Sequence, residues 1–160
     1  MRACAAVPLL LLATACGEQV LVHDPPPDPD GDDDRDGASW TIEDIWGTDP
    51  SDPDSDDDGL LDGFELLIST DPTDPDTDHD GLGDMLEVQM GSSPITVDSD
   101  GDTLADGAEV ARHTSPLQAD TDHDGIGDGL EVALGTDPLD SDTDDDGLLD
   151  GDDPAPRTPS

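Results

Sequence analysis

A glutamate that recurs every 22 residues is the feature that most constrains the fold of this chain. Each unit opens with a short apolar stretch, passes through a Thr/Ser-Pro turn and enters an Asp-rich run that ends at the next acid. A gap-free period of this length predicts an array of small structural repeats that contact mainly their neighbours. The acids in phase are Glu43, Glu65, Glu87, Glu109, Glu131 and, at the next step, Asp153.

Each Asp-rich run is a 12-residue loop with acids at positions 1, 3, 5, 9 and 12. Position 6 is glycine except in the third loop, where it is Thr103. The acids are Asp54, Asp56, Asp58, Asp62 and Glu65 in loop 1; Asp76, Asp78, Asp80, Asp84 and Glu87 in loop 2; Asp98, Asp100, Asp102, Asp106 and Glu109 in loop 3; Asp120, Asp122, Asp124, Asp128 and Glu131 in loop 4; and Asp142, Asp144, Asp146, Asp150 and Asp153 in loop 5.

This spacing predicts a calcium site in every loop. Ca²⁺ takes about six to eight oxygen ligands in flexible geometry, and alternate side chains of a tight loop lie on one side, around the ion. Glycine at position 6 permits the sharp turn. We expect a carboxylate at position 9 to bind directly or through water, and a glutamate at position 12 to supply two oxygens. The backbone carbonyls at position 7 should complete the sites; they belong to Leu60, Leu82, Leu104, Ile126 and Leu148.

Three loops depart from this pattern. Loop 3 lacks glycine at position 6, and we expect it to turn differently through Gly101. Loop 5 ends in Asp153, which is one methylene shorter than glutamate. An earlier copy is degenerate, because Trp40 occupies position 9. The residues of that copy that fit the pattern are Asp32, Asp34, Asp36, Gly37 and Glu43.

Other divalent ions suit these loops less well. Mg²⁺ prefers strict six-fold geometry and retains water, and Zn²⁺ prefers histidine and cysteine. His79 and His123 occupy position 4 of their loops. We expect that position to face solvent and both histidines to be bystanders.

Composition explains why the ions are needed. The 160 residues carry 44 Asp and Glu against 4 Lys and Arg, a formal charge of −40, and only 2% aromatic residues. Such a chain cannot offset the entropy of ordering by apolar burial and should be disordered unless cations neutralise it. Its charge disfavours nucleic acid. We therefore predict an irregular, Ca²⁺-stabilised, elongated repeat array, mostly loops with short helical turns after each Asp-rich loop and little hydrophobic core.

The N-terminus has the features of an export signal. Residues 1–15 contain one basic residue, an apolar stretch and small residues, too short for a mature membrane span. The small residues before Cys16 resemble the lipobox of bacterial lipoprotein signals, which implies cleavage there, lipidation of Cys16 and attachment to the membrane. The alternative is an ordinary signal cut after Ala15 and a secreted product. We expect a Pro/Asp-rich linker at 16–31, repeats at 32–153 and a disordered tail at 154–160.

The loops alone resemble EF-hands, but their flanks do not. Prolines such as Pro72 and Pro138 precede loops, where an EF-hand needs an entering helix. The runs at 135–138 and 140–151 resemble thrombospondin type 3 repeats, especially the bacterial ones. The resemblance covers about 32–153. It implies an elongated array organised around a string of Ca²⁺ ions, used at the cell surface and sometimes in adhesion.

Two functions remain open at this point. One is a calcium-stabilised spacer or adhesion element of a surface or outer-membrane lipoprotein, and the other is a calcium buffer or sensor. An enzyme is not expected, because no nucleophile–base pair is evident and the carboxylates are better explained as ion ligands. The sequence does not identify a protein partner.

Overall fold

A computed structural model describes residues 31–159, and these residues contain helices and loops but no β-strand. The predictions for the signal segment, Cys16 and nearly all of the linker lie outside the described residues. Five α-helices of 7 residues each follow one another at the period of the sequence. They are α1 Trp40–Trp46, α2 Asp62–Ile68, α3 Asp84–Met90, α4 Asp106–Arg112 and α5 Asp128–Leu134. The predicted fold, a loop-rich array with short helices and little core, is confirmed.

Each helix begins at position 9 of a loop and ends at a residue in the left-handed conformation. Gly47, Gly91 and Gly135 provide three of these ends, as their sequence positions predict. In the other two units Ser69 and His113 adopt φ values of 75° and 70° instead. In each case the N–H of the terminal residue bonds back into the last turn, which stops the helix after two turns.

The buried side of each helix is acidic rather than apolar. In α2, Asp62 and Glu65 are both fully buried, because residues three apart share one helix face. The spacing of Phe64 and Leu67 indicates an apolar face, but these side chains are 38% and 78% exposed. A seven-residue helix has one inward face, and the two acids occupy it.

Apolar burial is concentrated at position 7 of the loops. The buried hydrophobic side chains among the described residues are Ala38, Leu60, Leu82 and Leu104, all at this position. Leu148, at position 7 of loop 5, is 46% exposed. Ile126, at position 7 of loop 4, is half-buried, so burial at this position decreases toward the last loops. The described residues therefore bury few aliphatic side chains, and those few lie in the acidic loops.

Successive units also approach through backbone. Gly107, at position 10 of loop 3, lies so close to loop 2 that a Cβ atom would be 2.7 Å from the Asp80 carbonyl oxygen. Gly63, Gly129 and Gly151 hold the same position and the same approach, with gaps of 2.5–2.7 Å to backbone atoms. Met85 replaces this glycine in loop 2 and packs near Gly59. Glycine at position 10 thus allows the closest approach between units, whereas Met85 makes the corresponding contact with Asp58 at a longer distance of 3.2 Å.

The C-terminal end of the described chain contacts the last helix. The Arg157 guanidinium donates a hydrogen bond of 3.3 Å to the Leu134 carbonyl, which ties part of the predicted tail to α5.

Among residues 31–159, none of the helices combines the length and apolar character that a bilayer crossing requires.

Candidate metal centres

The alternate aspartates of each loop converge on one point. In each described group, one carboxylate oxygen per residue lies within 4.8 Å of the others. A turn with positive φ at positions 4 and 6 produces this convergence; in loop 1 these are Asp57 at 62° and Gly59 at 104°. The groups include Asp32, Asp34 and Asp36; Asp54, Asp56 and Asp58; Asp76, Asp78 and Asp80; Asp98, Asp100 and Asp102; and Asp120, Asp122 and Asp124.

The helix after each loop contributes the acid at position 12. Glu65, Glu87, Glu109 and Glu131 have no solvent-exposed surface. Each lies in the first turn of its helix, which holds its carboxylate beside the aspartates of the same loop. Four separate helices thus repeat one arrangement, a buried glutamate that faces a cluster of aspartates.

Many of these buried carboxylate oxygens have no hydrogen-bond donor. Position 3 leaves one such oxygen in every loop, on Asp56, Asp78, Asp100, Asp122 and Asp144. Position 12 leaves one on Glu65 and Glu131, and both oxygens on Glu87 and Glu109. Buried polar atoms are almost always paired, and unpaired ones are costly. An ion pair of 3.6 Å joins His79 to Asp74 and lies outside these clusters.

Burial and mutual repulsion raise the pKa of the position-12 acids. The pKa values of Glu65, Glu87, Glu109 and Glu131 rise to about 8. Loss of hydration is the largest cause, and the neighbouring aspartates of the same loop follow. Asp56 shifts in the same direction, to about 6. A bound divalent cation would offset the lost hydration and neutralise the repulsion, so the donor set fits a hard, oxygen-preferring ion.

The aspartates at positions 1 and 3 of loop 1 divide their oxygens between the loop and the cluster. In loop 1, one oxygen of Asp54 accepts a bond of 3.1 Å from the Gly59 N–H, and its other oxygen is unpaired. Asp56 does the same with the Asp58 N–H, at 3.1 Å. In these two residues one oxygen shapes the turn and the other remains available to an ion, whereas both oxygens of Asp98 and Asp120 accept N–H bonds within their own loops.

Position 9 has a role that its spacing did not predict. Asp84 accepts bonds of 2.9 and 2.6 Å from the N–H and hydroxyl of Thr77, at position 2 of its loop. The Thr77 hydroxyl in turn accepts a bond of 2.9 Å from the Asp71 N–H, in the turn before the loop. The position-9 acid thus closes the loop onto its own beginning. A direct or water-mediated bond from this acid to the ion stays a prediction.

Position 5 connects one unit to the next. One oxygen of Asp102 accepts a bond of 2.7 Å from the Leu104 N–H within loop 3. The other accepts a bond of 2.6 Å from the N–H of Gly129, the second residue of α5. Gly127, the residue before α5, makes no capping side-chain hydrogen bond, so Asp102 of the preceding loop caps this helix instead. The same contact joins Asp36 to Gly63, Asp58 to Met85, Asp80 to Gly107 and Asp124 to Gly151.

Loop 3 turns like the others, so the expectation that it turns differently is wrong. Gly101 and Thr103 have φ values of 83° and 84°, which repeat the two positive values seen in loop 1. Thr103 is held there because its N–H donates to Asp98, at 2.9 Å, as the position-6 N–H does elsewhere. The loop's hydrogen bonds override the steric preference of threonine.

Loop 5 differs at its end. Asp153 lies directly after a turn and not in a helix, and it accepts a bond of 2.8 Å from the Ala155 N–H. It remains partly exposed, whereas the position-12 glutamates are fully buried. His79 and His123 are exposed at position 4 of loops 2 and 4, as expected.

Two sets of recurrent residues that shape the sites are absent from the predicted site residues. The first is the serine or threonine at position 2, which is Ser55, Thr77, Ser99, Thr121 and Thr143. The second is the glycine at position 10. Both signals are visible in the sequence as recurrent residues in phase with the acids, but neither is a ligand type, and their partners become apparent only in three dimensions.

The fold and the sites define a class: an acidic repeat protein in which every unit builds a carboxylate cluster from a loop and a short helix. The model of the bacterial TSP3 repeat matches residues 54–75, 76–95, 98–119 and 120–141, together more than half of the 160 residues. The chain belongs to this family, the bacterial thrombospondin type 3 repeats, and the predicted resemblance is confirmed. No curated protein and no solved structure matches the chain.

Proposed function

We propose that this protein binds Ca²⁺ in its five loops and uses the bound ions to hold the repeat array in shape. The ligands at each loop are the acids at positions 1, 3, 5, 9 and 12 and the carbonyl at position 7. The observation that carries the proposal is the set of buried carboxylate oxygens without a donor, which recurs at positions 3 and 12 in phase with the repeat.

The donor set favours Ca²⁺ over other ions. All the side chains that converge are carboxylates, and hard oxygen donors suit Ca²⁺ and Mg²⁺ but not Zn²⁺. Three aspartates, a glutamate and a carbonyl exceed what Mg²⁺ ordinarily takes from protein, because that ion retains several waters. Membership of a calcium-binding repeat family supports the same choice.

A structural role is favoured over a buffer or sensor. The carboxylates that would bind the ions also make the contacts within and between units, as Asp102 does with Leu104 and Gly129. Removing the ions would leave these acids to repel one another in a chain whose net charge is −40. Binding and folding are therefore one event, as in other domains that lack a sufficient core.

We further propose that the protein is exported and anchored at Cys16 in the outer membrane or at the cell surface. The family is typical of exported proteins, which supports the first part. The segment before Cys16 supports the second part. Residues 16–31 then form a spacer between lipid and repeats, 32–153 a calcium-stabilised stalk or adhesion element, and 154–160 a tail. No catalytic role is proposed, because the carboxylate clusters have the character of ion ligands.

Equilibrium dialysis with ⁴⁵Ca²⁺ tests the proposal. The test variant replaces the position-3 aspartates Asp56, Asp78, Asp100, Asp122 and Asp144 by asparagine. The control variant removes as much charge from acids outside the ligand positions, namely Asp33, Asp44, Asp52, Asp57 and Asp145. Saturable binding that is lost in the test variant and kept in the control supports the proposal. Equal loss in both variants would indicate diffuse counterion binding and contradict it.

A further inference from the structure

The unit at residues 32–43, which we call the N-terminal unit, lies outside the segments matched by the family model and lacks the acid at position 9. Its aspartates nevertheless converge like those of the full loops. One carboxylate oxygen from each of Asp32, Asp34 and Asp36 lies within 4.8 Å of the others. The backbone follows the same path, with φ of 70° at Arg35 and 103° at Gly37.

A buried glutamate with an unpaired oxygen completes this cluster. Glu43 is 1% exposed, and its Oε2 atom has no hydrogen-bond partner. The Oδ2 atom of Asp34 is buried and unpaired as well. Glu43 lies in the first turn of α1, the place that the position-12 glutamates of loops 1 to 4 hold in their own helices. The donor set therefore matches positions 1, 3, 5 and 12 of a full loop.

The substitutions in this unit remove the hydrogen bond between the side chains at positions 2 and 9 but keep the carboxylate ligands. Trp40 replaces the position-9 acid, and Asp33 replaces the position-2 hydroxyl, so both members of the Thr77–Asp84 type of contact are absent together. The backbone closure survives, because the Trp40 N–H donates to the Gly31 carbonyl at 2.9 Å. The equivalent bond in loop 1, from Asp62 to Pro53, measures 3.1 Å.

The unit is also joined to the array. Asp36 accepts a bond of 2.6 Å from the Ala38 N–H and one of 2.8 Å from the Gly63 N–H. Gly63 is the second residue of α2, which carries Glu65 of loop 1. An ion held at Asp36 would therefore fix the helix that supplies the last acid of the next site.

We propose that the N-terminal unit is a further binding site for a divalent cation of the Ca²⁺ class, with Asp32, Asp34, Asp36 and Glu43 as its carboxylate ligands. This site goes beyond the five proposed loops, although it rests on the same carboxylate chemistry. Residues 32–43 are then the first ion-binding unit of the array, although their sequence departs from the full repeat.

Terbium luminescence tests this site in the intact protein. Tb³⁺ substitutes for Ca²⁺ and emits when a nearby indole is excited, and both tryptophans of the chain, Trp40 and Trp46, lie in or beside this unit. We expect Trp-sensitised emission that excess Ca²⁺ displaces. The emission should disappear in Asp34→Asn and Glu43→Gln, and should persist in the distant control Asp122→Asn.

Dialysis with Ca²⁺ supplies a second readout that does not depend on tryptophan. Glu43→Gln and Asp34→Asn should each bind one equivalent less than the unaltered protein. If Glu43→Gln unfolds α1, the Asp34→Asn variant decides, because it leaves the helix sequence intact.

Two results separate this inference from the proposed function. Emission that survives Asp34→Asn but is lost in Asp56→Asn would assign the ion to loop 1 and overturn the sixth site, with the five loops unaffected. Absence of saturable Ca²⁺ binding in the unaltered protein would overturn the proposed function as well.

Discussion

The carboxylate of Asp80 accepts a hydrogen bond of 2.7 Å from the backbone N–H of Gly107, 27 residues further along the chain. Asp80 belongs to the acid cluster of loop 2, and Gly107 is the second residue of α4, which carries Glu109 of loop 3. One side chain therefore faces a candidate ion and caps the helix of the following unit. This contact runs in one direction along the chain, so each site supports the site that follows it.

The close approach at position 10 predicts that Gly107→Ala destabilises the protein. Alanine ordinarily favours a helix over glycine by up to about 1 kcal/mol. Here its Cβ atom would lie 2.7 Å from the Asp80 carbonyl oxygen, so we expect a net loss of about 1–3 kcal/mol from overpacking. Urea unfolding in saturating Ca²⁺ measures the change. The exposed helix substitution Gln89→Ala is the control and should change stability by less than about 0.5 kcal/mol. A stabilising Gly107→Ala would show that units do not seat through this glycine.

The hydrogen bond from the position-2 hydroxyl to the position-9 acid predicts that Thr77→Val is destabilising. Valine keeps the shape of threonine but leaves the Asp84 oxygen and the Asp71 N–H without their hydroxyl partner. We expect a loss of about 1–3 kcal/mol, the usual cost of an unsatisfied buried polar group. Thermal unfolding of the Ca²⁺-bound protein detects it. Thr77→Ser should be close to neutral, since the Ser55 hydroxyl makes the same bond to Asp62 in loop 1, at 2.6 Å. Equal losses of stability in Thr77→Val and Thr77→Ser would argue against a stabilising role for this hydroxyl.

The left-handed conformation of Thr103 predicts that Thr103→Gly stabilises loop 3. A β-branched residue at φ of 84° is strained by roughly 1–2 kcal/mol, part of which glycine's greater chain entropy offsets. We therefore expect a gain of about 1 kcal/mol. The reciprocal change Gly125→Thr in loop 4, at φ of 99° with no atom within 4 Å of its Cβ position, should cost a similar amount. If Thr103→Gly lowered the melting temperature, the side chain would have a stabilising contact that outweighs the strain.

The raised pKa values of the position-12 glutamates predict opposite pH dependences with and without calcium. In the ion-free fold the pKa of Glu87 is about 8, above its ordinary value of 4.5, so the folded chain binds more protons than the unfolded one. Stability of the ion-free fold should therefore be present below about pH 4.5 and be lost as pH rises toward 8. Calcium should reverse this trend, because it binds the deprotonated carboxylates.

Two measurements check this prediction. Helical circular dichroism in the presence of a chelator should be stronger at pH 4.5 than at pH 8. Calorimetric titration with Ca²⁺ near pH 7, in two buffers of different ionisation enthalpy, should reveal proton release. Replacing the four glutamates Glu65, Glu87, Glu109 and Glu131 by glutamine should remove most of that release and leave a smaller part from Glu43 and Asp56, whose pKa values are also raised. Ca²⁺ binding without proton exchange at pH 7 would contradict the buried, proton-bearing state of these acids.

Much of the architecture follows from the sequence, because its determinants are local. The period fixes the repeat, Gly47, Gly91 and Gly135 fix three helix ends, and the acids at positions 1, 3 and 5 share one side of a tight turn. These features depend on backbone geometry within a dozen residues. Short-range rules of periodicity and turn formation are sufficient to predict them.

The remainder depends on contacts between distant residues or on competition among local ones. The bond from Asp80 to Gly107 spans more than one repeat, so no local pattern indicates it. Thr103 keeps the common turn because its N–H bond to Asp98 outweighs its side-chain preference. Phe64 and Leu67 are exposed because the acids of α2 occupy the buried face, a choice that hydrophobic spacing alone does not reveal.

The central claim is that bound calcium holds the array in its folded form. Far-ultraviolet circular dichroism during a Ca²⁺ titration at neutral pH, with Mg²⁺ in parallel, tests it most directly. We predict a weak helical signal in chelator, a saturable increase with Ca²⁺ and a much smaller response to Mg²⁺. A helical signal that is already complete in chelator, or that does not change on addition of Ca²⁺, would contradict the claim.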